Sequence, residues 1–325
     1  MPHCSPNKSL AARVTATAQR RAVIDIGTNS VKLLVADVAG DDVLPVLETS
    51  RQTRLGQGFY ETHRLQPKPI LDTARTAGEF AARARAEGAP IVRIIATSAA
   101  RDAINAAELI SAIEEAANAT VEVISGEQEA DWAFAGVVSD PRFAHAAVLI
   151  LDIGGGSTEF ILGEERRSLF RHSYKLGTVR TLEKHPIPDP PTAASLIAYR
   201  RHLDTFLAEQ VEPQLGPVLR ALHQRPVLVG TGGTASILSR VHLATDAFER
   251  DAIEAVKLTP AELTAHLERL WMIPLEQRRN VPGIPAERAD VILPGIAILE
   301  AILRKFGLPE FQVSTRGLRF AALKP

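Results

Sequence analysis

Two carboxylates, Asp152 and Glu159, bracket the run Asp152-Ile153-Gly154-Gly155-Gly156-Ser157-Thr158-Glu159. Glycine backbone approaches a ligand closely, and its amides, with the Ser157 and Thr158 hydroxyls, are donors suited to phosphate oxygens. The two carboxylates repel a phosphate. They belong beside one only if a hard divalent cation, which takes oxygen ligands, lies between. Three glycines alone fit equally well a hairpin that merely turns. The framing by Asp on one side and Ser-Thr-Glu on the other favours a site. The phrase occurs a second time, as Asp25-Ile26-Gly27-Thr28-Asn29-Ser30, with Asp25 matching Asp152 and Ser30 matching Ser157. A third candidate is Val227-Leu228-Val229-Gly230-Thr231-Gly232-Gly233, an apolar run entering glycines just before a helical pattern. A helix N-terminus at such a turn offers free amides and a favourable dipole to an anion.

These residues need strands to carry them. Val148 to Leu151 is a continuous apolar run, the pattern of a strand buried on both faces, and Thr158 to Leu162 is its return. Ala22 to Ile26 and Val31 to Val38 repeat the arrangement. Two such hairpins imply two related lobes facing one cleft, in an α/β chain. The strand Ile91 to Ala96 leads into a helix starting near Ala99, which puts Arg101 in the first turn, where the dipole disfavours a cation without an anionic partner. Asp102 or Glu108 would be the ordinary partner, and a phosphate the functional one. After the strand Val121 to Ile124, a helix opens on Gly126-Glu127-Gln128-Glu129. Acids there commonly just complement the dipole. Glu129, however, shares a face with Trp132 and Ala133, which directs it toward the cleft. Further on, Ser168 to Leu176 reads as a strand, Thr192 to Gln210 as an amphipathic helix, and Arg288 to Phe306 as a long apolar helix interrupted by Pro294-Gly295.

At this point the chain resembles a known family. The paired Asp-Ile-Gly hairpins look like the phosphate motifs of the actin/hexokinase/Hsp70 superfamily. Asp25-Ile26-Gly27-Thr28-Asn29-Ser30, Gly126-Glu127-Gln128-Glu129-Ala130 and the run from Asp152 to Glu159 are similar to segments of the exopolyphosphatase/guanosine pentaphosphate phosphatase (Ppx/GppA) family. The resemblance extends from about Arg21 to the C-terminus. It implies two actin-like, ribonuclease H-like lobes with a cleft between them, and a general-base role for Glu129. It also implies phosphate contact by Arg101 and by the Gly177-Thr178-Val179-Arg180 segment. Gln128 stands where the family often has a second Glu, and Phe320-Ala321 replaces the Glu-Gly of the family's usual tail.

Composition narrows the partners. The 325 residues allow two domains, expected at 21–141 and 142–325 after an extension over 1–20 that reads as mobile. With 46% hydrophobic and 23% charged residues the balance is that of a globular protein. A net charge of −1 provides no general polyanion-binding field, so neither a nucleic acid nor a membrane is an expected partner. No apolar run reaches membrane-spanning length. One cysteine, Cys4, precludes an internal disulfide and fits the cytoplasm. The nine histidines lack zinc-site spacing.

The expected reaction is hydrolysis of a terminal phosphoanhydride, of inorganic polyphosphate or of guanosine pentaphosphate. Backbone amides of 27–30 and 154–157 and the glycines Gly230, Gly232 and Gly233 would bind phosphate. Asp152 and Glu159, with Asp25 from the facing lobe, would organise Mg²⁺, with Mn²⁺ as an alternative. A kinase of the same fold and a non-catalytic binder of guanosine tetra- or pentaphosphate are the competing readings. Since the chain stops after two lobes, short substrates are expected to suit it, and a homodimer is expected.

Overall fold

The structure is a computed structural model that describes residues 18–324. The expected extension therefore lies mostly outside the described residues, and Gln19 and Arg20 are already part of the first strand. In the N-terminal half, β1 (Gln19–Ile26), β2 (Ser30–Ala39) and β3 (Asp42–Gln52) form a meander. Helices α1 (Phe59–Thr62) and α2 (Pro67–Ala86) follow, then β4 (Ile91–Ala96), α3 (Ser98–Asp102), α4 (Ala106–Ala117), β5 (Val121–Val123) and α5 (Gly126–Val138). The second half begins with another meander, β6 (Val148–Ile153), β7 (Thr158–Glu164) and β8 (Arg167–Tyr174). It continues with α6 (Thr178–Lys184), α7 (Ala193–Phe206), α8 (Glu212–Ala221), β9 (Val227–Thr231), α9 (Gly232–Leu243), α10 (Arg250–Ala255) and β10 (Lys257–Leu258). The last elements are α11 (Pro260–Trp271), α12 (Leu275–Arg278), α13 (Ile292–Phe306), β11 (Phe311–Val313) and α14 (Leu318–Ala322).

The strand orders are β3-β2-β1-β4-β5 and β10-β11-β9-β6-β7-β8. In each, a central strand carries an aspartate, pairs antiparallel with its hairpin partner and parallel with the strand on its other side. The repeated phrase in the sequence is thus a repeated topology, as two actin-like lobes require. The central strand β6 is apolar throughout except for Asp152, because helices or the other sheet cover both its faces. One core cluster joins the halves: Val23, Leu34 and Ile95 of the first sheet, Val148, Ile150 and Ile161 of the second, and Ala133 and Val137 of α5 between them. Leu318 and Phe320 of α14 complete it, so the chain's last helix packs against α5 and β1.

Two helices differ from expectation. The long C-terminal helix begins at Ile292, so Pro294 and Gly295 sit in its first turn and do not interrupt it. Proline is tolerated there because the first-turn amides have no intrahelical acceptor. The helix expected over 192–210 gives way at Leu207 to a π turn running to Val211, ahead of Pro213 in the first turn of α8.

Candidate active site

The two hairpin turns face each other across one cavity. Its wall includes Asp25, Gly27, Thr28, Asn29, Ser30, Asp152, Gly154, Gly155, Gly156, Ser157, Glu159 and Glu129. Gly156 is packed so closely that a Cβ there would come within 2.4 Å of Ser98 Oγ and Tyr60 Oη, both from the first lobe. The glycine is required by this contact.

The orientation of the turns follows from what holds their carbonyls. Thr28 O accepts from Gly56 N at 2.7 Å, and Asn29 O accepts from Thr53 N and Arg54 N at 3.1 Å each. In the second hairpin Gly154 O accepts from Thr178 N at 2.9 Å, and Gly155 O accepts from Val179 N and Arg180 N. Gly156 O accepts from Arg180 Nε at 2.7 Å. A planar trans peptide points each carbonyl opposite to the next amide. With their carbonyls tied from behind, the peptides present the amides of Asn29, Ser30, Gly155, Gly156 and Ser157 on the opposite side. The amides of Gly27 and Gly154 are not available, because they close their own turns on Ser30 O and Ser157 O. The buried Asn29 side chain is tied to β3, its Oδ1 accepting from Gln52 Nε2 at 3.0 Å.

The hairpins are not equivalent in charge. Register pairs Asp152 with Glu159, but Asp25 with Lys32. Lys32 Nζ lies 3.7 Å from Asp25 Oδ2, whereas no Lys or Arg among the described residues forms an ion pair with Asp152 or Glu159. Burial pushes the Asp152 carboxyl above the usual range. Burial, reinforced by the Asp152 charge, pushes Glu159 up to about 7 against the opposing hydroxyls of Ser173 and Ser157. Those hydroxyls donate to Glu159 Oε1 at 2.7 and 2.8 Å. A buried carboxylate pair with no direct ion-pair contact, opposed only at longer range by Lys32 on Asp152 and by Arg101 on Glu159, is a donor set that fits a divalent cation. The described residues contain no group of three or more His, Cys, Asp or Glu gathered to hold a metal by themselves. Asp25, which already has Lys32, is therefore the least suited of the three carboxylates to that role.

Glu129 lies in the first turn of α5, whose N-cap Ser125 accepts from Gln128 N at 3.1 Å. It is 7% exposed and reaches the cavity as its position on the helix face implies. Burial holds its pKa well above the ordinary value, the Glu159 charge adds to this, and Arg101 opposes it. Arg101 Nη1 donates to Glu129 Oε2 at 3.1 Å and to Ile124 O at 2.8 Å. Its anionic partner is thus neither Asp102 nor Glu108, and it stands behind Glu129 while Thr97 and Ser98 line the cavity itself.

The third motif is only partly at the site. Gly230 is a residue of β9, paired with Leu151 and Val313, and its face abuts the Phe311 ring. Gly230 does not line the cavity; its missing side chain makes room for that ring. Gly232, at φ +80°, opens α9, and a Cβ on it would come within 2.5 Å of Asp152 Oδ1. Gly233 and Thr234 line the cavity. Arg180, expected to contact phosphate, is instead buried behind the second hairpin.

The sequence reading missed two basic residues. Lys32 lies in the wall, where strand alternation and alignment with Glu159 would have found it. Arg288 also lines the cavity and donates to Ser30 Oγ at 2.9 Å. Burial lowers its pKa. Nothing local marks it, because it arrives on a short turn 258 residues from Ser30.

The sequence model of the Ppx/GppA phosphatase family matches residues 33–322. The chain is 33% identical over 308 residues to exopolyphosphatase 2 of Mycobacterium tuberculosis, covering 91% of this chain and 94% of that protein. It is 30% identical to guanosine-5'-triphosphate,3'-diphosphate pyrophosphatase of Vibrio cholerae over 92% of this chain but 57% of that longer protein. A crystal structure of the Aquifex aeolicus Ppx/GppA family member superposes with a TM-score of 0.76 at 29% identity, covering 94% and 97% of the two chains.

Proposed function

Since this chain belongs to the Ppx/GppA phosphatase family, a family of phosphoric anhydride hydrolases, we propose that it is an exopolyphosphatase that releases the terminal phosphate of inorganic polyphosphate. The observation that carries the reading is the convergence of both hairpin turns, Glu129 and the Asp152–Glu159 pair on one cavity. Guanosine pentaphosphate is the second candidate substrate, supported by the similarity to the Vibrio cholerae enzyme.

Hydrolysis of a phosphoanhydride needs the phosphoryl group held, its charge balanced and a water aimed. The amides of Asn29, Ser30, Gly155, Gly156 and Ser157 bind the terminal phosphate oxygens. Lys32 and Arg288 add positive charge from the first hairpin's side. Asp152 and Glu159 would hold Mg²⁺ or Mn²⁺, which supplies charge neutralisation at the phosphate. Glu129 accepts a proton from water through Oε1, since Arg101 engages only Oε2. The water oxygen bonds to the terminal phosphorus, the bridging P–O bond breaks, and the shortened chain leaves with those electrons. A general base of this kind contributes roughly 10²- to 10⁴-fold. The competing binder reading has no support from the residues, because a pure binder does not require Glu129.

Orthophosphate release from polyphosphate, guanosine pentaphosphate and ATP, measured with and without Mg²⁺, tests the proposal. Polyphosphate should be the preferred substrate, and Glu159→Ala should raise the Mg²⁺ concentration for half-maximal rate. Absence of release from every substrate would leave the binder reading instead.

A further inference from the structure

Arg180 is 4% exposed and makes contacts in two lobes. Its Nε donates to Gly156 O, at the apex of the second phosphate hairpin, at 2.7 Å. Its Nη2 donates to Asp102 Oδ2 of the first lobe at 2.8 Å. The guanidinium lies 4.1 Å from the ring centroid of Tyr60, also of the first lobe. Asp102 follows Arg101 in α3, and Arg101 holds Glu129. A single chain of polar contacts therefore runs Gly156–Arg180–Asp102, one residue from the Arg101–Glu129 pair. A second contact fastens the same helix: Glu183 of α6 accepts from Gly58 N at 2.7 Å and from Tyr60 N at 3.2 Å.

We infer that Arg180 is a positioning residue that makes the anion-binding geometry of the second hairpin depend on the seating of the first lobe through Asp102. This inference rests on the activity proposed above. The physical basis is the Gly156–Ser157 peptide. Glycines impose little conformational preference of their own, so the turn needs an external hold to keep its amides aimed. Arg180 supplies that hold at Gly156 O. Its other end is fixed by a carboxylate on the opposite lobe, so the planar guanidinium is correctly oriented only when the lobes are together. Lysine, whose three donors radiate from a single nitrogen, cannot span Gly156 O and Asp102 with the fixed geometry of the planar fork.

The experiment compares wild type, Arg180→Lys, Asp102→Asn and the double variant in two readouts. One is kcat and KM for orthophosphate release from polyphosphate. The other is amide hydrogen exchange of peptides spanning 151–160, which does not depend on any activity. Each single variant should lower kcat roughly tenfold, the loss of one charge-assisted hydrogen bond, with a smaller change in KM. Exchange at Gly154, whose amide closes the turn on Ser157 O, should rise while the strands of the other sheet stay protected. The double variant should be little worse than the worse single, because both weaken one link. Additive losses, or unaltered exchange at Gly154 in both singles, would overturn the inference and leave Arg180 as core packing. Should Arg180→Lys fail to fold, Asp102→Asn decides alone, since its half-buried side chain can be changed without emptying the core. If wild type released no phosphate, the proposed activity would fall while the exchange comparison still judged the hold on the hairpin.

Discussion

Glu129 shows how little of a residue's chemistry belongs to the residue. A glutamate in the first turn of a helix is ordinarily a weakly perturbed dipole complement. Here burial and the facing Glu159 raise its proton affinity, and Arg101 pulls it back. In its proposed role Glu129→Gln keeps the shape and loses the proton acceptor. We expect kcat to fall at least about 100-fold with Tm unchanged or raised, measured by phosphate release and thermal melts. A variant retaining a tenth of wild-type kcat would remove Glu129 from the base role. Glu159 gives a pH prediction. Its folded-state pKa, raised from 4.5 to about 7 chiefly by burial, means that the folded state binds this proton more tightly than the unfolded one. Its contribution to stability is thus complete below about 4.5 and is lost as pH rises through about 7. Metal-free wild type should lose Tm across that window more steeply than Glu159→Gln, and Mg²⁺ should restore stability at the upper end. Parallel melting curves for the two proteins would mean that Glu159 titrates normally.

At the scale of elements, the hairpin is the unit of function and its back is as demanding as its front. The carbonyls of 154–156 are occupied by α6 and Arg180, and the apex is pressed against Ser98, Tyr60 and Thr28. Gly156→Ala should therefore push the lobes apart at the site. We expect kcat/KM to fall by more than about tenfold while urea unfolding shifts by only ~1–3 kcal/mol, the usual cost of overpacking. Wild-type kinetics in that variant would show that the contact is dispensable. Within the repeated hairpins, one substitution separates the roles: Lys32 stands where its counterpart has Glu159, so one hairpin neutralises its aspartate and the other leaves a carboxylate pair open.

Across the whole molecule, the halves are joined by an apolar cluster as well as by polar links at the cleft. Phe320 is 3% exposed in that cluster, and Arg250 lies 5.3 Å from its ring centroid. Phe320→Ala should destabilise the protein by ~3–5 kcal/mol. Because α14 touches α5 and β1 while the cluster includes the second sheet, the loss should appear in one cooperative transition. Two separated transitions in wild type, with only one shifted by the substitution, would show that the lobes unfold independently. The position where the tail departs from the family pattern is thus part of what holds the lobes together.

The sequence by itself determined the hairpins, their duplication and most of the residues that line the cavity. Strand and turn signals are local, so Asp152, Glu159 and the glycine runs were legible from spacing, and Glu129 from its helix face together with the family resemblance. Only the tertiary structure decided how these parts were divided among tasks. Gly230 looked like a phosphate glycine and is a packing glycine, because what faces it is Phe311, distant in sequence. Arg180 looked like a phosphate contact and grips the hairpin from behind. Arg101 takes Glu129 as its partner, and Arg288 enters the cavity from a remote turn. The physical reason is the same in each case. A side chain's type fixes what it can bond, but its partner is set by which distant segments the packed core brings within about 3 Å, and no local pattern carries that distance.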